Sequence, residues 1–198
     1  MSADEGEAAR TGRVQLLALV AVFVLPVAIA AGWYFAAPGL APSPSVHGTL
    51  IEPARPLQPF SVDRADAGPY GLDTLRGHWT LVHRHEGACD EACRQRLYYT
   101  RQIRDALGED RIRVERLVIA PGGRGAPGLA DILGEHPRLT VLPAERAAGL
   151  TRQLPGAPAG TVFLVDPLGN LMLRFGPDVE PDHILDDLEH VLKLSRIG

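Results

Sequence analysis

The sequence predicts an α/β domain that follows one N-terminal membrane helix. Strand-like and helix-like apolar patterns alternate along most of the chain, and a hairpin followed by a helix ends it. Residues 14–37 carry no charged side chain, which predicts the membrane helix. The length of 198 residues suits one domain with such an appendage.

The N-terminal apolar run is long enough to cross a hydrocarbon core, which takes about 20 residues. Arg10 and Arg13 precede it, and no Lys or Arg follows until Arg55, so the positive-inside rule places the rest of the chain outside the cytoplasm. A cleaved signal peptide is the alternative, because residues 28–30 (Ala-Ile-Ala) resemble a cleavage site. The apolar run continues past that site, which favours an anchor.

Four segments follow from this pattern. Residues 1–13 form a cytoplasmic N-terminus and residues 14–37 a transmembrane helix. Residues 38–59 are rich in proline and lack periodicity, which predicts an extended spacer. The globular domain is expected over residues 60–198.

The first half of that domain contains the strongest local signals. A short strand at 60–62 and one helical turn at 72–77 precede a strand at 79–85, which is apolar and β-branched in its first half. A helix follows over 90–107 and ends at Gly108. Its buried face is expected to be Tyr99, Ile103, Ala106 and Leu107.

The second half continues the alternation. The predicted elements are a strand at 112–120, a short helix at 129–136, a short strand at 138–142, a helix at 144–154, hairpin strands at 161–166 and 171–175, and a helix at 181–194. The last helix carries an apolar stripe made of Ile184, Leu185, Leu188, Val191 and Leu192. The order of elements is that of an α/β fold.

Cys89 and Cys93 are the only cysteines, and they stand where the strand at 79–85 passes into a helix. That arrangement fits the thioredoxin-like plan among several α/β alternatives. Two cysteines can make one disulfide, one redox pair or part of one metal site. A net charge of −4 offers no basic surface for nucleic acid, which is not expected as a partner.

Two segments resemble the Sco-type (Sco/SenC-like) assembly proteins of cytochrome c oxidase. They are "LRGHWTLVHRHEGACDEAC" at 75–93 and "FLVDPLGNLMLRF" at 163–175. The resemblance implies a thioredoxin-like fold in the bacterial periplasm, with copper or thiol chemistry that serves an oxidase subunit or another copper chaperone. One feature departs from the family, because Pro158 stands where its copper-ligating histidine is expected.

The surroundings of the cysteines favour a reductant or a metal site over an oxidant. A helix N-terminus stabilises a thiolate, whereas the neighbouring Glu86, Asp90 and Glu91 oppose it and favour a bound cation. His83 and His85 alternate onto one face of their strand and are candidate copper ligands together with the cysteines. Inert thiols, a purely structural disulfide, and simply packed or solvated histidines remain alternatives.

The sequence therefore predicts a single-pass protein of the bacterial inner membrane with its C-terminal domain in the periplasm. Cys89 and Cys93 are expected to act as the catalytic pair of a thiol–disulfide oxidoreductase in cytochrome c oxidase maturation. The first alternative is a copper chaperone with a rebuilt site of Cys89, Cys93, His83 and His85. The second is an interaction module without chemistry that docks other assembly factors.

Overall fold

The computed structural model describes residues 18–32, 46–64 and 67–197. The chain divides into two units, Met1–Ser45 and Val46–Gly198. In the first unit, residues 18–32 form helix α1, whose side chains are exposed. None of the helices in the described part of the chain has the length and apolar character that a membrane span requires. The expected span at 14–37 extends at both ends into residues outside those described.

The second unit is built on a six-stranded mixed sheet. The unit has eight strands, six in this sheet and two in a separate hairpin: β1 (Thr49–Pro56), β2 (Ser61–Arg64), β3 (Gly68–Gly71), β4 (Trp79–Arg84), β5 (Val114–Ala120), β6 (Leu139–Pro143), β7 (Val162–Val165) and β8 (Asn170–Phe175). The α-helices are α2 (Leu72–Leu75), α3 (Glu91–Ala106), α4 (Ala148–Thr151) and α5 (Pro181–Leu194), and 3-10 helices form at Gly108–Arg113, Gly123–Gly125 and Ala130–Glu135.

The sheet has the order β1-β8-β7-β4-β5-β6, while β2 and β3 form a separate hairpin. Strands β4, β5 and β6 run parallel, and β7 pairs antiparallel with both β4 and β8. Parallel strands place their carboxyl ends at one edge of a sheet. The loops that follow β4, β5 and β6 therefore meet at that edge, and the first of these loops leads to the cysteines.

Apolar side chains cover both faces of the central strands. On one face, Leu81 and Leu164 pack in a cluster with Ile184 and Leu188 of α5. On the other face, Val82 and Phe163 pack in a cluster that includes the β2–β3 hairpin and α2. Strand β4 is consequently buried on both sides, as a strand near the middle of a mixed sheet should be.

The predicted apolar stripe of α5 is confirmed. Ile184, Leu188 and Leu192 are buried, and Leu185 and Val191 pack partly against the same cluster. The predicted face of α3 is wrong in part.

In α3, Ile103 and the following Leu107 are buried as expected, but Ala106 is exposed and Tyr99 only half-buried. The inward positions belong instead to Cys93, Leu97 and three polar residues, Arg96, Thr100 and Arg104. Apolar periodicity cannot indicate a face that is partly made of arginine and threonine. These polar side chains can be buried because backbone carbonyls accept their hydrogen bonds.

The predicted spacer at 38–59 differs from the structure, because β1 (Thr49–Pro56) belongs to the sheet. It pairs antiparallel with β8 at one end of the strand order, and the register shifts between Leu50 and Arg55. An edge strand tolerates proline, since one side of it needs no donors. The buried Asp187 of α5 accepts the backbone N–H groups of His47 and Gly48 at 3.1 and 2.8 Å.

Two predicted helices are shorter or tighter than expected. The helix predicted at 144–154 contains only the α-helical turn Ala148–Thr151, and the one at 129–136 is a 3-10 helix, Ala130–Glu135. Both are connections beside the sheet, where a single turn is enough to reverse the chain.

Candidate functional site

The candidate site lies where β4 ends and α3 begins. A disulfide joins Cys89 and Cys93, whose Cα atoms are 5.2 Å apart. Cys89 comes before the N-cap residue Asp90, and Cys93 is the third residue of α3. The Asp90 carboxylate accepts the backbone N–H of Cys93 at 3.0 Å, which caps the helix and fixes its first turn.

The loop after β5 holds Cys89 in place. The backbone N–H of Cys89 donates to the carbonyl of Pro127 at 2.8 Å. Gly128 has a φ of +76°, and a Cβ at this position would overlap the carbonyl oxygen of Cys89. Sequence reasoning missed this role, although the density of glycine and proline at 121–128 was a visible signal of a constrained turn.

A cleft of about 380 Å³ lies beside the disulfide and is lined by Cys93, while Cys89 does not contribute to its walls. Both cysteines are almost fully buried, and both pack in an apolar cluster with Val118 and Leu129. Of the two cysteines, Cys93 is therefore the one that borders the cleft. Its other lining residues include His83, His85, Asp90, Arg96, Tyr99, Gly160, Pro177, Asp178 and Glu180.

His83 is the most unusual group in this cleft. It is 2% exposed and lies in β4 between Val118 of β5 and Val162 of β7. Neither ring nitrogen has a hydrogen-bond partner among the described residues. Burial, followed by the charges of His85 and Arg96, lowers the pKa of His83 to about 3. The imidazole is therefore neutral near pH 7, with one nitrogen lone pair uncommitted.

His85 reaches the same cleft by strand alternation, as the sequence predicted. Its ring centroid is 6.1 Å from that of His83. Its Nε2 lies 2.6 Å from the carbonyl oxygen of Ala88, so Nε2 carries the proton that is donated to this oxygen. The structure thus places all four predicted site residues around one short segment of the chain.

Arg96 brings a buried positive charge to the cleft wall. Its Nη2 donates to the carbonyl of Pro177 at 2.7 Å, which ties α3 to the segment before α5. Burial lowers the pKa of Arg96, and the nearby Asp178 acts in the opposite direction. Sequence reasoning did not select this residue, because an arginine on a predicted helix is usually solvated.

The residues present do not fit a resident copper ion in the disulfide form. Sulfurs bonded to each other are not thiolates, which are the ligating form of cysteine. In the described part of the chain, no group of three or more His, Cys, Asp and Glu side chains is arranged to hold a metal ion. The carbonyl of Pro158 accepts the Oγ1 hydroxyl of Thr161 at 2.8 Å, so a closed turn occupies the position expected for the family's histidine.

The fold and the disulfide define a thioredoxin-like protein with its cysteines at the start of a helix. Residues 79–195 match the family profile described as "Transmembrane-like, thioredoxin-like, C-terminal domain", and the chain belongs to this family. No curated protein matches the sequence.

Solved structures of Sco proteins share the fold. Apo Sco1 from Thermus thermophilus is 19% identical with a TM-score of 0.59, over 74% of this chain and 97% of that one. Copper-bound yeast Sco1 is 15% identical with a TM-score of 0.57, over 71% and 90%. BsSco, described with a disulfide switch and as a Sco-family cytochrome c oxidase assembly protein, is 16% identical with a TM-score of 0.51, over 72% and 96%. The predicted Sco-like fold is confirmed.

Proposed function

We propose that this protein is a thiol–disulfide oxidoreductase that serves the assembly of cytochrome c oxidase. The observation that carries the proposal is the Cys89–Cys93 disulfide at the carboxyl end of β4, with Cys93 in the wall of a cleft. The description of BsSco supports the same chemistry, since that protein has a disulfide switch and belongs to the oxidase assembly proteins. The partner is an oxidase subunit or a copper chaperone whose cysteines must be kept reduced.

The location we propose is the periplasmic side of a bacterial inner membrane. The uncharged run at 14–37 and the preceding Arg10 and Arg13 support an anchor with the cysteines outside the cytoplasm. Disulfides persist in that compartment, whereas cytosolic thiols are kept reduced. A phosphatase fusion after Gly198 is expected to be active, and an inactive fusion would contradict this orientation.

The exchange begins from the dithiol form. The Cys93 thiolate attacks one sulfur of a partner disulfide, a mixed disulfide forms, and the other partner sulfur leaves as a thiolate. Cys89 then attacks the Cys93 sulfur, closes the intramolecular disulfide and releases the second partner thiolate. Two electrons pass to the partner, and a dithiol donor returns the pair to the reduced form.

Two opposing effects set the strength of this reductant. Cys93 lies in the first turn of α3, where the helix dipole favours a thiolate. The carboxylate of Asp90 accepts the backbone N–H of Cys93 and lies close to it, and Glu91 adds a negative charge to the same turn, so both disfavour a thiolate. A strong oxidant requires a highly stabilised thiolate. We therefore expect a reduction potential of roughly −200 to −300 mV, toward the reducing end of the thioredoxin-like range.

A copper chaperone is the second candidate, and His83 is the observation that favours it. This buried neutral imidazole shares the cleft with Cys93, and reduction would supply two thiols near it. Thiolate and imidazole are suitable donors for Cu(I). The site would then use Cys89, Cys93 and His83, with His85 at the cleft wall.

One set of titrations separates the two candidates. The full-length chain in detergent is equilibrated with dithiol redox buffers, and its thiols are counted by maleimide gel shift. The same chain is titrated with Cu(I) against a competing chelator and with Cu(II). We expect a two-electron transition that Cys89→Ser or Cys93→Ser abolishes, and weak copper binding that His83→Leu does not change. One tightly held copper, lost on replacing His83 as well as either cysteine, would contradict the reductant and support the chaperone.

A further inference from the structure

A second cavity, of about 360 Å³, lies at the edge of the sheet opposite the cysteines. It is formed by the last turns of α3, the start of β5 and the turn before β6. Five arginines line it, with one acidic side chain, Asp105: they are Arg101, Arg104, Arg111, Arg116 and Arg138. We call this cavity the arginine pocket. Its positive charge contrasts with the net charge of −4 of the whole chain.

Two of these guanidinium groups are buried and incompletely paired. Arg104 is 5% exposed and Arg116 is 2% exposed. The Nε of Arg104 donates to the carbonyl of Val114 at 2.6 Å, but its Nη2 has no partner among the described residues. The Nη1 of Arg116 donates to the carbonyl of Leu97 at 3.1 Å, but its Nε also has no partner there. Buried N–H groups of charged side chains are costly to leave unpaired.

The acidic residues nearby offset this charge only in part. The Oδ1 of Asp105 lies 4.0 Å from the Nη1 of Arg104, and the side chain of Asp105 is 57% exposed. The Oε2 of Glu135 lies 4.0 Å from the Nη1 of Arg101, and the side chain of Glu135 is 67% exposed. Glu115 precedes Arg116 in β5, so strand alternation directs it to the other face of the sheet, although its charge still raises the pKa of both Arg104 and Arg116.

Burial and neighbouring cations lower the pKa of both inner arginines, while Glu115 and Asp105 act in the opposite direction. Burial and the charge of Arg104 lower the pKa of Arg116 to about 10. His136, whose Nδ1 lies 3.5 Å from Arg116, has its pKa lowered to about 4 by burial and by Arg116. A neutral His136 can accept a hydrogen bond from Arg116 at its Nδ1 but supplies no negative charge.

We propose that the arginine pocket binds a phosphate group. Guanidinium groups match the oxygens of phosphate with paired N–H donors, and five of them converge on this cavity beside the single carboxylate of Asp105. The volume lies at the lower end of the range of small-molecule sites, about 300–1,000 Å³. The phosphate belongs either to a soluble compound or to the headgroup of an anionic lipid.

Thermal unfolding tests this proposal on the full-length chain in lipid-free detergent. Inorganic phosphate and pyrophosphate are added and compared with chloride at the same ionic strength. Ligand binding to the folded state raises the unfolding midpoint, and we expect this rise with phosphate but not with chloride. An equal response to all three salts, or none at millimolar phosphate, would overturn the proposal.

Variants locate the response in the pocket. We expect Arg116→Met to abolish the phosphate response while the protein stays folded, since it removes an incompletely paired buried charge. The double variant Arg111→Gln/Arg138→Gln replaces two exposed side chains and leaves the core intact. We expect it to weaken phosphate binding about tenfold or more. Arg152→Gln, an exposed arginine outside the pocket, is the matched control. A phosphate response that persists in both pocket variants would also overturn the proposal.

Calorimetry with soluble dihexanoyl phosphatidic acid distinguishes the two sources of phosphate. Tighter binding of this short-chain lipid than of pyrophosphate identifies a lipid headgroup, and the reverse order identifies a soluble phosphate compound. Either order supports the pocket only if Arg116→Met removes the binding. These results are independent of the thiol chemistry, which the cysteine variants test at the opposite edge of the sheet.

Discussion

His83→Leu should change how the stability of this protein depends on pH. The folded chain holds His83 neutral, because burial lowers its pKa from 6.5 to about 3. The unfolded chain binds a proton at this side chain below pH 6.5. Since the unfolded state binds more protons, stability must fall as the pH decreases from 6.5 toward 3.

The size of this effect follows from the two pKa values. A pH of 4 is 2.5 units below the pKa of 6.5 that His83 has in the unfolded chain, so the side chain is protonated there. In the folded chain it is still largely neutral at this pH. One unit corresponds to about 1.4 kcal/mol, so the loss between pH 7 and pH 4 is about 3 kcal/mol. Leucine does not titrate and should remove this part of the loss. At pH 7 the variant should be at least as stable as the parent, because two unpaired buried nitrogens disappear.

Guanidinium unfolding of the oxidised full-length chain at pH 7 and pH 4 measures this difference. His190→Gln, at an exposed position of α5, is the control and should keep the pH dependence of the parent. His136 also has a lowered pKa, and its contribution should be the same in every variant. If His83→Leu lost as much stability as the parent between the two pH values, the buried neutral imidazole would be refuted.

Three further predictions concern the cysteine segment. Asp90→Ala should cost about 1 kcal/mol of stability because α3 loses its N-cap. The reduced variant should also react faster with iodoacetamide, because a carboxylate beside Cys93 is gone. An unchanged alkylation rate would contradict this electrostatic role. Gly128→Ala should lower the thermal midpoint, since the new Cβ overlaps the Cys89 carbonyl at a positive φ, whereas Gly134→Ala meets open space and should be tolerated. In the reduced chains, Cys93 of the Cys89→Ser variant should react faster with Ellman's reagent than Cys89 of the Cys93→Ser variant, because only Cys93 lines the cleft; the opposite order would assign the attacking role to Cys89.

The sequence could predict those parts of the fold in which residue type and spacing agree. The β-branched run of β4, the stripe of α5 and the hairpin of β7 and β8 each have an apolar pattern of the right period. The same logic placed His83 and His85 on one face of their strand, and both line the cleft. The position of the cysteines after β4 then followed from chain connectivity.

Other features depend on contacts between distant parts of the chain. The inward face of α3 contains Arg96, Thr100 and Arg104, whose burial is offset by carbonyls that no local pattern reveals. Strand β1 is rich in proline and mostly exposed, so it lacks the alternation of a half-buried strand. The arginine pocket likewise arises because a helix, a strand and a turn converge.

Oxidase assembly in cells tests the central claim most directly. The chromosomal copy is deleted in the source bacterium, and cytochrome c oxidase activity of the membranes is measured after complementation with the parent chain, Cys89→Ser, Cys93→Ser or His190→Gln. We predict that the deletion lowers the activity, and that the parent and His190→Gln restore it while neither cysteine variant does. Full oxidase activity with both cysteine variants would contradict a role for thiol–disulfide exchange.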